Sequence, residues 1–438
     1  MDQDQVMEQS VLPLTLSQQI LHDALARNPE LRSTVSLSAR LVGELDIAAF
    51  RASLRDLVER HDALRIAIGT RRDGTAYQWF REAPAECGTV KIQRIKASSE
   101  DQFTRFVRKV AMLDTLRAWD MSEDYPFRFR LLSRTADCHA FLATFAHQTV
   151  DSATHTILTR DLWQLYRRRV DGESAAPAQS HGSFAEAVRA QLDRDLRADD
   201  NLPIDFWRGR LEQAHACAFT FTAPQDPVAT AEPIHLKLSL TGPRLTALRI
   251  AARRSKCSEL QLIQGAFAAT IFEFTQQRTI TFTTPVDTRR RADHGVLGMF
   301  DLSLPLTLER AASWPELLAA VRQESFDVLR HRQVTHRMLT GIGPSSAGWI
   351  GGGSAGNLRM SYVRVASAES QPADDAIQAD YGWYKPRLNR VSAAVELRIG
   401  SWPDRIEFGI SFDGGQVPES SARAVTHTLD RLLTFSQA

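Results

Sequence analysis

The chain has 438 residues, of which 43% are hydrophobic and 24% are charged, with a formal net charge of +1. This composition is typical of a folded globular protein, and a length well above the ~250–300 residues at which single cores stop growing predicts two lobes. The near-neutral charge gives no electrostatic reason to expect binding to nucleic acid or to an anionic membrane, and no apolar run approaches the ~20 residues of a membrane span.

The N-terminus and the cysteines bear on location and on metal binding. Met1–Gln5 is polar and acidic, unlike a signal peptide, so we expect a cytoplasmic protein. The four cysteines show no C-x-x-C spacing and are read as reduced thiols: Cys87, Cys138, Cys217 and Cys257. We therefore expect no zinc site.

The first part of the chain alternates between predicted helices and strands. After a mobile lead at residues 1–12, apolar spacing predicts helices over 14–25, 47–61, 102–116 and 154–170. Alternating and apolar runs predict strands over 63–68, 76–80, 127–131 and 138–146. The turn Arg134–Asp137 separates the last two strands, which predicts a hairpin.

A polar, Pro-containing segment, Asp171–Gly182, is the predicted linker between the lobes. We place an N-terminal lobe at residues 13–172, the linker at 173–182 and a C-terminal lobe at 183–438. In the C-terminal lobe the spacing predicts helices from the linker to about 198 and over 204–214, 245–254, 258–275, 314–330 and 420–435. Strands are predicted over 234–240, 279–284, 302–308, 360–365, 393–399 and 406–412, and a Gly- and Ser-rich loop over 341–357. Each half is thus a mixed sheet with helices, which is an α+β plan.

His147 lies at the predicted turn between the strand that ends at Ala146 and the helix that begins at Thr154. A histidine at such a turn can face a cavity, and its ordinary pKa near neutrality suits a general base. Asp151, four residues later, could fix the turn or cap the following helix. An isolated H-x-x-x-D pattern is short, and a surface histidine beside a capping aspartate is the competing interpretation.

Six short segments along the chain have motif-like sequences: Leu14–Gln19, Arg60–Arg65 (RHDALR), Ala146–Ser152 (AHQTVDS), Thr284–Arg291, Leu297–Phe300 (LGMF) and Asp380–Trp383 (DYGW). The first five resemble, in order and spacing, the motifs of nonribosomal peptide synthetase condensation domains, including R-H-E-x-L-R, H-H-x-x-x-D-G and I-G-x-F. The last is similar to the D-F-G-W-G signature of related plant and fungal acyltransferases of the H-x-x-x-D superfamily. The resemblance spans about residues 12–436.

The resemblance implies two chloramphenicol-acetyltransferase-like lobes arranged as a V around a central tunnel. It implies that His147 is the catalytic histidine, which takes the proton of an attacking amine or hydroxyl or positions the nucleophile and stabilises the tetrahedral species. Asp151 is then a structural residue paired with an arginine at a strand end. Arg289 is the first choice for this arginine and Arg291 the second.

This sequence departs from the family pattern beside the histidine. Ala146 stands where the family has its first histidine, and Ser152 stands where it has glycine. The resemblance further implies that Asp380, Gly382 and Trp383 shape the fold behind the active site.

The function that the resemblance implies is transfer of an acyl, polyketidyl or peptidyl chain from a carrier protein's phosphopantetheine thioester to a separate small amine or alcohol. An ester is slightly favoured over an amide, and the step could release a finished chain. The sequence shows no adenylation, carrier or thioesterase segment, so we expect an acyl or peptidyl carrier protein to act in trans and to supply the phosphopantetheine. We expect a monomer without a cofactor of its own. Two alternatives stay open: a catalytically silent domain that recruits carrier proteins or tailoring enzymes, and an acyltransferase that uses acyl-CoA.

Overall fold

The computed structural model describes residues 11–28, 33–84, 90–173, 182–197, 204–214, 232–342, 349–350, 357–365, 372, 377–382 and 393–434. Its helices are α1 (Leu16–Arg27), α2 (Ile47–Arg60), α3 (Glu100–Leu116), α4 (Thr154–Val170), α5 (Phe184–Arg197), α6 (Ile204–Gln213), α7 (Gly242–Arg254), α8 (Glu259–Glu273), α9 (Trp314–Arg330), α10 (His336–Ile342) and α11 (Glu419–Leu432). Its strands are β1 (Leu12–Pro13), β2 (Thr34–Gly43), β3 (Ile66–Thr70), β4 (Ala76–Phe80), β5 (Val90–Arg94), β6 (Phe127–Thr135), β7 (Cys138–Ala146), β8 (Ile234–Thr241), β9 (Thr279–Asp287), β10 (Asp301–Glu309), β11 (Leu358–Arg364), β12 (Ile377–Tyr381), β13 (Val395–Ser401) and β14 (Arg405–Phe412). None of these helices is long and apolar enough to cross a bilayer.

The chain divides into two compact units that are not continuous in sequence. Unit 1 holds Met1–Arg197, Arg289–Phe300 and Arg364–Arg387, and unit 2 holds the remaining segments, Ala198–Thr288, Asp301–Val363 and Leu388–Ala438. This division differs from the predicted boundary at residues 173–182, because α5 packs within unit 1. Residues 174–181 of the predicted linker lie outside the described residues.

Unit 1 is built on a five-stranded sheet with the order β12-β2-β7-β6-β5, in which only the β5–β6 pair is parallel among the pairings described. Helices cover both faces of its central strand. On one face Phe141 of β7 meets Phe50 of α2 edge-on at a centroid distance of 5.3 Å. On the other face Leu142 packs in a buried cluster with Phe103 and Val107 of α3. This two-sided burial explains why β7 is apolar nearly throughout rather than alternating.

Several elements of unit 1 differ from the sequence prediction. The strand predicted over 63–68 is a 3₁₀ turn, Asp62–Arg65, followed by β3. Leu12, assigned to the mobile lead, forms β1 with Pro13 and pairs with β4, while residues 1–10 lie outside the described part. The strands β2, β5 and β12 were not predicted; β12 and β5 lie at the two edges of the sheet.

Unit 2 contains a six-stranded sheet with the order β10-β9-β11-β13-β14-β8. The pairs β9–β10 and β13–β14 are antiparallel, and β11 pairs with β9 in parallel. Ser258 caps α8 through a reciprocal capping box with Gln261, as the sequence predicted for this position. A side chain at Gly265 of α8 would place its Cβ 2.8 Å from Leu318 of α9, so glycine allows the two helices to pack closely. The predicted loop over 341–357 begins inside α10, and most of its remainder lies outside the described residues.

Candidate active site

His147 opens a short 3₁₀ turn, His147–Thr149, directly after β7. Its side chain is half-buried, and its Nδ1 lies 2.9 Å from the carbonyl oxygen of Val150. A carbonyl oxygen can only accept a hydrogen bond, so Nδ1 carries the proton of the neutral ring. The lone pair is therefore on Nε2, which is the arrangement that a general base requires.

Asp151 is fully buried and its carboxylate is saturated with hydrogen bonds. Arg289 donates to both carboxylate oxygens, at 2.7 and 3.0 Å. The backbone N–H groups of Phe300 and Ala153 donate at 2.9 and 3.1 Å. The N–H of Ala153 lies before α4, whose N-cap is Ala153 and has no side-chain cap hydrogen bond, so Asp151 holds the turn through its ion pair and does not cap the helix. A carboxylate bound in this way orders the turn instead of taking part in proton transfer.

Arg289 follows β9 and is held by Val296 together with the Leu297–Phe300 segment. Its Nε donates to the carbonyl of Val296 at 3.1 Å and its Nη2 to that of Gly298 at 3.2 Å. The Phe300 ring lies 4.2 Å from the guanidinium carbon. A Cβ at Gly298 would fall 2.2 Å from the Phe184 ring, so only glycine fits here. Gly298 and Phe300 of the motif thus both contact the buried Arg289.

The other arginines of this segment lie outside the pair. Arg291, the second candidate partner of Asp151, is exposed in a short 3₁₀ turn. Arg290 forms a partly exposed ion pair with Asp293.

Gln18, in the motif at the start of α1, contacts the His147 turn through a network that the sequence prediction missed. Its fully buried amide donates to the carbonyl of Gln148 at 3.1 Å and exchanges hydrogen bonds with Gln78 at 3.0 and 2.9 Å. The side chain of Gln148 lies 3.3 Å from Nδ1 of His22. The only sequence signal for this network is that Gln18 belongs to the first motif, Leu14–Gln19, because a glutamine in a helix is otherwise ordinary.

The RHDALR segment joins elements of unit 1. His61 Nε2 lies 2.9 Å from the buried carboxylate of Asp161 on α4. The Asp62 carboxylate accepts the backbone N–H groups of Phe184 and Ala185, both at 2.9 Å, and so caps α5. Arg65 donates to the carbonyls of Val58 and Arg81, at 3.2 and 2.6 Å. The segment is structural and does not reach His147.

The remaining predicted site residues have different surroundings. Ala146 is buried at the end of β7, and Ser152 is half-buried in the turn before α4. Asp380 is exposed on β12 opposite Arg40 in the sheet register. Gly382 adopts a φ of 75°, and its N–H donates to the carbonyl of Ser38 at 2.8 Å. Trp383 lies outside the described residues.

Within unit 1, an open cavity of about 550 Å³ adjoins the His147 turn. Ala146 and Gln148, which flank His147 in the chain, contribute to its wall. The rest of the lining comes from α1, the residue before β2, β3 and the loop after α3: His22, Leu25, Ala26, Ser33, Ile68, Gly69, Thr70, Ala118, Trp119, Asp120, Met121 and Ser122. A volume of this size suits a small molecule. In the part of the chain that the structure describes, no group of three or more His, Cys, Asp or Glu side chains is placed to hold a metal ion.

Comparison with known families and with known sequences matches this chain to a condensation domain and to nonribosomal peptide synthetases. The family model described as Condensation domain matches residues 8–345. The nonribosomal peptide synthetase CymA of Salinispora arenicola is 29% identical over 342 residues, which cover 74% of this chain and 4% of that protein. The chain therefore spans a small fraction of the length of this relative.

Solved structures with the same fold include a condensation domain and an X-domain. A point mutant of the starter condensation domain of rhizomide synthetase RzmA, in complex with C8-CoA, matches with a TM-score of 0.80 at 17% identity, covering 99% of this chain and 96% of that chain. The X-domain in its complex with OxyB from teicoplanin biosynthesis matches with a TM-score of 0.71 at 19% identity, covering 97% and 92%. Both likenesses support an α+β fold of two chloramphenicol-acetyltransferase-like lobes.

Proposed function

The chain belongs to the condensation-domain family, and we propose that it transfers an acyl or peptidyl chain from a carrier-protein thioester to a separate small amine or alcohol. The carrier protein would act in trans and would bring the phosphopantetheine arm, so this chain supplies only protein groups. We favour an ester as the product, and an amide is the alternative product. Such a reaction fits the release of a completed chain.

The orientation of His147 is the observation that carries this proposal. With Nδ1 donating to Val150, the lone pair on Nε2 is available to an attacking O–H or N–H group. The nucleophile forms a bond to the thioester carbonyl carbon, the carbon–sulfur bond breaks, and the proton that Nε2 accepts passes to the departing thiolate. No oxidant, reductant or metal is needed for this balance.

The buried support of the turn favours a defined position for His147. Asp151, Arg289 and Phe300 hold its C-terminal side, and Gln18 holds the backbone at Gln148. Productive geometry in active sites depends on such supporting contacts.

Substitution of His147 tests the proposal. The carrier protein would be loaded with an acyl chain, mixed with a panel of amines and alcohols, and followed by intact-mass spectrometry. We expect His147→Ala to lower turnover by about 10²–10⁴-fold, as for loss of a general base, while a matched variant at the exposed His294, His294→Ala, keeps it. Unchanged turnover in His147→Ala would contradict the proposed role.

Recruitment of other proteins is the second candidate function. Ala146 and Ser152 depart from the family motif on both sides of the turn, and the similar X-domain is known in a complex with OxyB. A recruitment domain would bind a carrier protein or tailoring enzyme equally well with or without His147 and would produce no transfer product in the mass assay.

An acyl-CoA donor is the third candidate, since the similar RzmA domain was solved with C8-CoA. Parallel reactions with the same acyl group on CoA and on a carrier protein separate the two donors. A clear preference for acyl-CoA would assign it as the donor in place of the acyl-carrier protein.

A further inference from the structure

We propose that another cavity of unit 1, which lies between β5, β6 and the loop after α3, binds a small organic anion of the aromatic carboxylate class. The cavity has a volume of about 310 Å³, which suits a small ligand. In the part of the chain that the structure describes, its lining includes no residue of the 3₁₀ turn His147–Thr149. The inference therefore does not depend on the proposed transfer reaction.

Three cationic side chains at this cavity lie on one face of the sheet. Arg128 and Arg130 alternate along β6 with buried phenylalanines, so both arginines point to the same face. Lys91 of β5 is directly opposite Arg130 in the parallel register and shares that face. All three side chains line the cavity. The sheet thus presents a group of positive charges to whatever binds there.

Arg128 holds the end of α3 against this face. Its Nη1 donates to the carbonyls of Asp114 and Arg117, both at 3.1 Å, and its Nη2 donates to that of Ala118 at 2.9 Å. The guanidinium carbon lies 3.5 Å from the centroid of the Trp119 ring. The fold itself therefore fixes this part of the wall, and a fixed wall lowers the entropic cost of binding a ligand.

Two of the cations at the cavity have carboxylate partners. Arg130 forms a bidentate ion pair with the buried Asp114, in which Nη2 lies 2.6 Å from Oδ1. Arg128 has Asp124 at a longer distance, 3.7 Å from Nη2 to Oδ2. Burial and the neighbouring charge of Arg117 lower the pKa of Arg128 to about 10, so Arg128 stays a cation near neutral pH and is repelled by Arg117.

The remaining charges leave an excess of one positive charge at the cavity. Lys91 and Arg117 are exposed, and among the described residues their side chains have no hydrogen-bond or ion-pair partner. Glu123, also exposed, supplies the one opposing carboxylate in the described lining besides Asp124. A ligand with a single negative charge would balance this excess and reduce the repulsion between Arg117 and Arg128. This favours a carboxylate over a doubly charged phosphate.

Aromatic side chains form the other part of the wall. Trp119 and Tyr125 both line the cavity. The Tyr125 hydroxyl donates to the carbonyl of Glu82 at 2.9 Å, and the guanidinium carbon of Arg81 lies 4.3 Å from the Tyr125 ring centroid. A planar aromatic ring can pack on this surface while its carboxylate meets the cations, so the ligand class is an aromatic carboxylate.

Calorimetric titration of the complete chain with 2-naphthoate tests the site. We expect 2-naphthamide, which has the same shape without the charge, to bind about tenfold more weakly or worse. Decahydronaphthalene-2-carboxylate keeps the charge but has no aromatic ring, and it should bind at least about threefold more weakly. The doubly charged 2-naphthyl phosphate should bind no more tightly than 2-naphthoate.

Charge variants locate the binding site. Lys91→Met and Arg117→Met should each weaken the binding of 2-naphthoate by about three- to fivefold, because each removes one exposed cation. Glu123→Gln should strengthen it by about twofold, because the opposing charge is lost. Lys96→Met and Arg105→Met are the matched controls, since both residues are exposed and lie outside the cavity lining, and they should keep the original affinity.

Several results would overturn the inference, and none of them involves turnover. Absence of binding, or equal affinity for 2-naphthoate and 2-naphthamide, does so in the unmodified protein. Unchanged affinity in both Lys91→Met and Arg117→Met would place the ligand elsewhere. Equal losses in these variants and in the controls would indicate general attraction to a positive surface. Tighter binding of 2-naphthyl phosphate than of 2-naphthoate would contradict the assignment of a single negative charge.

Discussion

Asp151 and Arg289, which are 138 positions apart in the sequence, form a bidentate ion pair with N–O distances of 2.7 and 3.0 Å. The exposed fractions of the two side chains are 0% and 1%. Every oxygen of the carboxylate also accepts a backbone N–H, one from Ala153 and one from Phe300. The pair thus connects the turn that carries His147 to a segment far along the chain.

Breaking this pair should destabilise the fold. We expect Arg289→Met or Asp151→Asn to lower the free energy of unfolding by about 3–5 kcal/mol, because each leaves an uncompensated group in the interior. Chemical denaturation monitored by circular dichroism gives the value. Arg291→Met is the matched control: this arginine is exposed, and its replacement should stay within about 0.5 kcal/mol. Equal effects at both arginines would contradict the assignment.

The tautomer of His147 is a second prediction. The Val150 carbonyl fixes the proton on Nδ1, whereas His139 has the opposite arrangement, with Nε2 3.0 Å from the carbonyl of Ala136. Long-range ¹⁵N–¹H spectra of the neutral side chains should therefore show Nδ1–H for His147 and Nε2–H for His139. An Nε2–H signal for neutral His147 would remove its lone pair from the position that the proposed base requires.

Gln18 should support both stability and turnover. Its replacement by leucine leaves the carbonyl of Gln148 and the amide of Gln78 without this partner, and buried unsatisfied groups cost about 1–3 kcal/mol each. We expect a loss of stability of about 2–6 kcal/mol for the two groups together and a lower kcat, because the turn after His147 loses a contact. The neighbouring Gln19 bonds only locally among the contacts described here, to Asp23 one helical turn away, so Gln19→Leu should change the free energy of unfolding by less than about 0.5 kcal/mol. A similar loss in both variants would indicate a helix effect instead.

Acid should weaken the fold through Asp161. Burial would raise the pKa of this carboxyl, but hydrogen bonds and charge from His61 and Arg160 outweigh it and lower the pKa from 3.8 to about 2. The depressed pKa gives a contribution of about 2 kcal/mol that is complete above pH 3.8 and is lost as the pH falls towards 2.

Unfolding experiments across this interval can isolate the contribution. Asp161→Asn should be less stable at neutral pH and should lose less stability between about pH 4 and pH 2 than the unmodified protein. The exposed Asp171 provides the control, since Asp171→Asn should keep the original slope. An unaltered slope in Asp161→Asn would show that other carboxyl groups govern acid unfolding.

Regular patterns in the sequence were sufficient for most of the local structure. The apolar spacing of Thr154–Val170 and the run Cys138–Ala146 correspond to α4 and β7 with the same bounds. Alternation along Phe127–Leu131 likewise predicted the start of β6. Three strands of this sheet were missed: the five-residue edge strands β5 and β12, which are stabilised by pairing with partners elsewhere in the sheet, and the ten-residue internal strand β2.

The family and the identity of the candidate base followed from the order of short motifs, which a sequence displays directly. The tertiary structure decided which arginine meets Asp151, why Gly298 cannot carry a side chain, and that Gln18 reaches the His147 turn. It also decided that Ala146 lines a cavity. These relationships join residues that are distant in sequence, and only packing of the complete fold brings them within contact distance, so helical or strand periodicity carries no information about them.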